Sequence, residues 1–497
     1  MLLEAIAHDD AAPAGPAGGT NREAAEPVRV VGRVVIHGAP LDFRAIAARA
    51  IPRDTRFVVF DLDRTFHLKR NMGELLGWEL SAAQTYGDAR VAELESRRGT
   101  SPFVFDWSRP LAVVRYMLRN VRTWAVPGLF YFVWGKLAHR STATRRLRAR
   151  LFGREPVRAV QAVPQTTLLH QLAGEPLARV RDLARRVWHR HAADQVIDAA
   201  DIAWLRTHCP GVRIVIASAS PQPVLDVAKE ELGVDDVIGS VVEEHAGAFA
   251  APFWLDRRFF GSFARPRRLA PPSSVVLNSS HAKIVALRAR FPEMFAPGAR
   301  TVGVTDTGYG EDHCWARHFT RLVDVNSDTP FSPLVAASSP LEELHSALPL
   351  TRREREARAA GDPAFVDPRR GPLANRETRS FDASELERLL APELARARAL
   401  TRSQDAQATL MAQAIEGLRV DTARAIARIE QLVALYNAAV DDARDALLAE
   451  LRGTLDAVRD LVDLRTRLER PLAELGDALT HEFEAARARL ELAAARA

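Results

Sequence analysis

One stretch constrains this chain more than any other: Arg56-Phe57-Val58-Val59-Phe60-Asp61-Leu62-Asp63-Arg64-Thr65, a short apolar run that stops at two carboxylates one residue apart. Such a run reads as a buried strand. In an open α/β sheet, ligands bind beyond the carboxyl ends of parallel strands, so acids in this position would face a crevice. Side chains at i and i+2 point the same way while the chain stays extended, which lets Asp61 and Asp63 address one ligand. The pair suits phosphoryl chemistry: Asp61 as an ionised nucleophile on phosphorus, Asp63 as the acid for the leaving oxygen and then the base for water. Two carboxylates repel a phosphate dianion, so a divalent cation is expected, and Mg²⁺ prefers oxygen ligands that bridge carboxylate and phosphate. The plain alternative is a polar loop after a buried strand, since short motifs recur by chance.

Three later strands end in a comparable way. Val212 to Ala217 runs into Ser218-Ala219-Ser220-Pro221 and an amphipathic helix; Ser218 and the adjoining N–H groups could hold an anion, or the serines only cap the helix. Val275-Val276-Leu277 leads to a helix with Lys283 in its first turn, where a cation opposes the helix dipole unless an anion sits nearby. Arg300 to Thr305 ends on Asp306, with a glycine-containing loop through Glu311 and Asp312.

In this order, D-x-D-x-T and the three later elements resemble the haloacid dehalogenase superfamily of phosphohydrolases, across residues 56 to 326. The resemblance implies a magnesium-dependent phosphomonoesterase with an aspartyl-phosphate intermediate. It gives Asp61 and Asp63 the catalytic roles and Thr65, Ser218 and Lys283 the phosphate. Asp306, with Asp61 and the main chain of Asp63, would hold the metal. The second acid of the last motif stays open between Glu311 and Asp312, because Gly310 stands where many relatives of the phosphoserine phosphatase branch carry it. Arg64 stands where glycine is frequent. The long insertion and the Ser-Ala-Ser-Pro element look like the branch holding phosphoserine phosphatase and the C-type phosphatidylglycerophosphatases, which implies a phosphorylated small molecule or a lipid phosphate as substrate.

The expected fold is α/β: a Rossmann-like parallel sheet, a large helical cap inserted after the first motif strand, and a C-terminal all-α, hairpin or coiled-coil region. Its expected boundaries are a disordered leader at 1–27, the catalytic core at 28–65 and 211–330, the cap at 66–210, a linker at 331–383 and the helices at 384–497. A chain of 497 residues with 47% hydrophobic and 26% charged residues has material for several cores. Two cysteines outside any metal-ligand spacing fit a reducing compartment. The first 27 residues lack a basic n-region, and no apolar run spans a bilayer, so a cytoplasmic protein is expected.

Lys plus Arg, at 68, barely exceeds Asp plus Glu, at 63, but the excess is concentrated. From Arg109 to Arg154 there are basic residues and no acidic ones, around the apolar, aromatic block Trp124 to Trp134. Two readings are open: peripheral contact with anionic lipid at the inner membrane face, or a buried cap helix with a solvated arginine face. The apolar centre disfavours nucleic acid. His189-Arg190-His191-Ala192-Ala193-Asp194 matches H-x-x-x-x-D, an acyltransferase pattern, without the Gly-rich element that should follow, so both ends are read as ordinary helix residues. The leucine stripes after residue 384 suit a hairpin or a homo-oligomer. The rival function is a non-catalytic scaffold of the same fold that binds a phosphorylated ligand and assembles through these helices.

Overall fold

Phe57, Val58, Val59 and Phe60 are all buried, and a strand apolar on both faces belongs in the middle of a parallel sheet. In the computed structural model it lies there. The described residues are 27–121, 171–172, 174–242, 244–249, 275–276, 281–307, 312–327, 330–370, 377–438, 441–468 and 470–496. Among them the main sheet has nine strands: β1 (Arg33–Ile36), β2 (Phe57–Phe60), β3 (Arg213–Pro221), β4 (Asp236–Val242), β5 (Val275–Val276), β6 (Thr301–Thr305), β7 (Arg321–Val325), β8 (Glu343–Ala347) and β9 (Arg379–Asp382). Their order is β9-β1-β8-β7-β6-β2-β3-β4-β5. The seven inner strands run parallel, and β9 and β5 close the edges antiparallel. β2 pairs with β3 on one side and β6 on the other, which brings three of the four motif-bearing strand ends together.

The insertion after β2 is helical among its described residues: α2 (Met72–Tyr86), α3 (Asp88–Arg98), α4 (Pro110–Asn120), α5 (Leu177–Arg190) and α6 (Ala199–His208) follow the first helix of the sheet layer, α1 (Phe43–Ala50). Asn71 caps α2 by accepting the Glu74 N–H at 2.8 Å. The insertion is shorter than 66–210. Arg44, on α1, meets Asp201 of α6 at 2.9 Å, and the Cys209 thiol donates to Pro52 O at 3.1 Å. α6 therefore belongs to the sheet's helical layer. The block Trp124–Trp134 lies outside the described residues.

Residues 331–383 are not a linker. They supply β8 and β9 and a helix, Arg352–Ala359, capped by a Thr351/Glu354 box. The strand Arg33–Ile36 finds its place through β8 and β9.

Among the described residues, a separate unit comprises residues 27–30, Leu334–Ser338 and Glu387–Arg489. Its core is a long helix, Ala391–Ala438, that folds back against Asp441–Leu468, with Arg428 meeting Glu450 at 2.6 Å and Ile429 and Leu432 buried. The helix Arg470–Arg496 follows, with Pro471 at its start, where a missing N–H costs nothing. No described helix is long and apolar enough to cross a membrane.

Candidate active site

Asp61 leaves β2 with its N–H on Val304 O at 2.9 Å, a last rung of the ladder to β6. Its carboxylate accepts a hydrogen bond from Lys283 Nζ at 2.9 Å. The same ammonium donates to Asp312 Oδ1 at 2.8 Å and lies 5.7 Å from the centre of the Trp315 ring. Lys283, Asp61 and Asp312 are all buried, so the first-turn lysine of the helix His281–Arg290 is held by two carboxylates. Asp312 is fixed in turn by Thr305, whose hydroxyl donates to Oδ2 at 2.7 Å. Of the two acids open for the last motif, Asp312 joins the site, and Glu311 lies outside the described residues.

Asp63 is held differently. Oδ1 accepts the Met72 N–H at the start of α2, and Oδ2 accepts the Ser220 hydroxyl, each at 2.7 Å. Burial raises its pKa; the Ser220 hydroxyl, the Met72 N–H and Lys283 only partly oppose it. An acid that keeps its proton longer than usual suits proton donation to a leaving oxygen. Motif reasoning does not single out Ser220, although its signal is present in the sequence: two positions beyond Ser218 on an extended strand, it points the same way. Ser218 is buried beside it, its Oγ accepting the Ser220 N–H at 3.3 Å. Thr65 is fully buried, and among the described residues its hydroxyl has no hydrogen-bond partner.

Asp306 ends β6 at 3% exposure, with Oδ1 unpartnered and Oδ2 3.7 Å from Arg64 Nη1. Its pKa stands well above the usual carboxylate range. Burial is the main cause; Asp61, Asp312 and Asp63 add repulsion, and Arg64 opposes it. Arg64 reaches this position from a left-handed backbone, φ 61°, its N–H bound to Arg70 O at 2.7 Å.

The donor set fits a hard divalent cation. Lys283 bridges Asp61 and Asp312, Arg64 lies 3.7 Å from Asp306, and among the described residues Asp306 Oδ1 has no hydrogen-bond partner. Among the described residues, no three His, Cys, Asp or Glu side chains converge into a metal cage. Mg²⁺ takes one or two carboxylates and completes its shell with water and substrate phosphate. A cavity of about 680 Å³ lined by Arg288, Arg300 and Arg321 shares no residue with this cluster and lies near the opposite ends of β6 and β7.

His189 and Asp194 do not form a catalytic pair. His189 is exposed and faces Glu231 at 3.2 Å, whereas Asp194 is buried between Arg70 and Arg369, each at 2.7 Å.

The family model for haloacid dehalogenase-like hydrolases matches residues 123–306, under half of the chain. The match takes in Ser218, Lys283 and Asp306 and begins after Asp61 and Asp63. No curated protein matches. Solved structures with some likeness include a protein of unknown function from Bordetella pertussis Tohama I, 13% identical over 55% of this chain and 92% of that one, TM-score 0.34. A probable phosphoserine phosphatase from Vibrio cholerae is 12% identical over 56% and 58%, TM-score 0.30. A substrate-bound phosphoserine phosphatase is 11% identical over 62% and 98%, TM-score 0.30. Scores this low add nothing to what the site itself supports.

Proposed function

We propose that this chain, whose core is that of a haloacid dehalogenase-like hydrolase, hydrolyses phosphate monoesters through an aspartyl-phosphate on Asp61. The observation that carries the reading is the division of labour between the two acids. Asp61 is ion-paired with Lys283 at 2.9 Å, while Asp63, 2.7 Å from both the Ser220 hydroxyl and Met72 N, is biased by burial towards its protonated form. A scaffold that only binds phosphate has no use for that asymmetry.

An Asp61 oxygen attacks phosphorus, the ester bond breaks, and the leaving oxygen takes the proton of Asp63. Asp63, now ionised, takes a proton from water. The resulting hydroxide attacks the acyl phosphate and releases inorganic phosphate and the Asp61 carboxylate. Thr65 and Ser218 donate to phosphate oxygens in this reading. Lys283 compensates the charge that gathers between Asp61 and the phosphate, and Asp312 keeps it there. Mg²⁺, when bound by Asp61, Asp306 and the Asp63 carbonyl, supplies positive charge against the phosphate dianion. The helical cap provides the walls that select the alcohol.

The test is phosphate release with Mg²⁺ from a panel of soluble monoesters and from vesicles containing a lipid phosphate, comparing wild type with Asp61→Asn. Hydrolysis falling to background in a variant that melts normally is the expected outcome. Turnover that survives the substitution, or none from any substrate in the wild type, refutes the proposal.

A further inference from the structure

The cap carries an apolar face turned to solvent. On α4, Leu111 is 83% exposed, Val114 53% and Leu118 64%, and Val121 just beyond its end 50%. At 100° per residue these positions form one strip. On the opposite side Val113 and Tyr116 are buried, Tyr116 in one cluster with Tyr86, Val91 and Leu94. α4 is thus seated in the cap by one face and shows solvent a second.

The segment leading into α4 extends this face. Phe103, Phe105 and Trp107 alternate along an extended chain, so their rings share a side: Phe103 stacks on Phe105 at 6.2 Å and Phe105 on Trp107 at 5.7 Å. Trp107 is 74% exposed. The ladder is braced from behind, Phe103 against Trp78 of α2 at 5.0 Å and Phe105 against Tyr116 of α4 at 6.2 Å. Isolated exposed apolar residues need no explanation, but a braced aromatic ladder continuous with a helical strip does.

Charge identifies what covers it. Arg115 and Arg119 line one edge of the strip, Arg109 lies at its start, and no acidic residue occurs in the sequence from 109 to 154. Asp106, the one acid between Phe103 and Val121, is buried and held by Arg90 at 2.7 Å, so the exposed side chains of the strip are aromatic, aliphatic and basic, which matches the interface of a bilayer with anionic headgroups. We infer that Phe103 to Val121 is a docking surface for an anionic lipid bilayer, through which the cap brings the active site to phosphate monoesters carried on lipid. The docking stands on this surface alone; the lipid-borne substrate rests on the phosphomonoesterase reading above.

The test is flotation of the full chain with phosphatidylcholine vesicles, with and without phosphatidylglycerol, for wild type and for Leu111→Asp/Leu118→Asp. Both leucines are exposed, so the pair leaves the core intact. Melting temperature and hydrolysis of soluble p-nitrophenyl phosphate are read in parallel. The inference expects wild type to float with anionic vesicles only and the double variant to lose flotation at unchanged melting temperature and soluble hydrolysis. Failure of the wild type to float, or equal flotation of both proteins, overturns it. So does a fall in melting temperature, which would mean the chain covers the strip itself, or a wild-type dimer that the variant dissociates without any flotation. Flotation with the expected loss, but no hydrolysis by either protein, upholds the docking and refutes the chemistry.

Discussion

Asp306 pays for its position in the metal-free protein. Buried and facing Asp61, Asp312 and Asp63, with Arg64 in opposition, its carboxyl holds its proton well above the pH at which an unfolded chain gives it up. Below the ordinary carboxylate pKa both states are protonated and nothing is lost. As pH rises, the unfolded chain ionises first, so native stability falls between the ordinary and the raised pKa, by about 1.4 kcal/mol for each pH unit that separates them. Asp306→Asn in EDTA should therefore unfold like wild type near pH 4 and be more stable than wild type at pH 8. Added Mg²⁺ should raise the melting temperature of wild type far more than that of the variant. Equal metal-free stability of the two proteins at pH 8 contradicts this placement of charge. At this scale much of the site is legible in the sequence: Asp61, Asp63, Lys283 and Asp306 each follow a strand or open a helix. The choice of Asp312 is not, because it depends on a loop turning back so that Thr305 and Lys283 meet one carboxylate. Neither contact leaves a spacing signature.

The elements bearing these side chains approach closely at Gly239 on β4. A Cβ there would lie 3.0 Å from Ser220 O and 3.1 Å from the main chain of Gln222, where β3 turns into its helix. Gly239 N–H also donates to Gln222 Oε1 at 2.9 Å, so the two elements are clasped side by side. The neighbouring atoms are backbone and can yield only by moving the serine turn. Gly239→Ala should therefore shift Ser220 away from Asp63, lowering kcat by about tenfold, or roughly 1.4 kcal/mol of barrier. Stability should change by less than ~1 kcal/mol, because alanine also restricts the unfolded chain. Steady-state kinetics beside urea unfolding separates the two effects, and an unchanged kcat would show the turn to be more compliant than its packing suggests. Strands with apolar runs are readable in order and placement, as β2, β3 and β6 are. β8, Glu343-Leu344-His345-Ser346-Ala347, and β9, with Phe381 as its one buried side chain, are not, since a strand with few apolar residues looks like a loop wherever it lies in the sheet.

Across the molecule, the segment that reads as a linker is tied to the catalytic unit by ion pairs buried where a linker would be solvated. Arg370 donates to both oxygens of Glu354, at 2.7 and 2.6 Å, to Asn326 Oδ1 at 2.6 Å and to Pro349 O. Glu354 is fully buried and also accepts the N–H groups of Thr351 and Asp367. Next to it, Arg369 reaches Asp194, which holds Arg70, whose carbonyl receives the Arg64 N–H, so the chain of contacts ends at the active-site loop. Composition misleads here because a buried, fully paired cluster of Arg, Glu and Asp has the residue content of a solvated surface. Removing one partner leaves an uncompensated buried charge, which costs about 3–5 kcal/mol, far more than loss of a surface pair. Arg370→Ala should lower stability by that amount in urea unfolding. Arg370→Ala/Glu354→Gln, which removes the stranded charge while keeping an acceptor oxygen for one of the two N–H groups, of Thr351 or Asp367, should recover part of it. A true linker would give a loss below ~0.5 kcal/mol and no recovery.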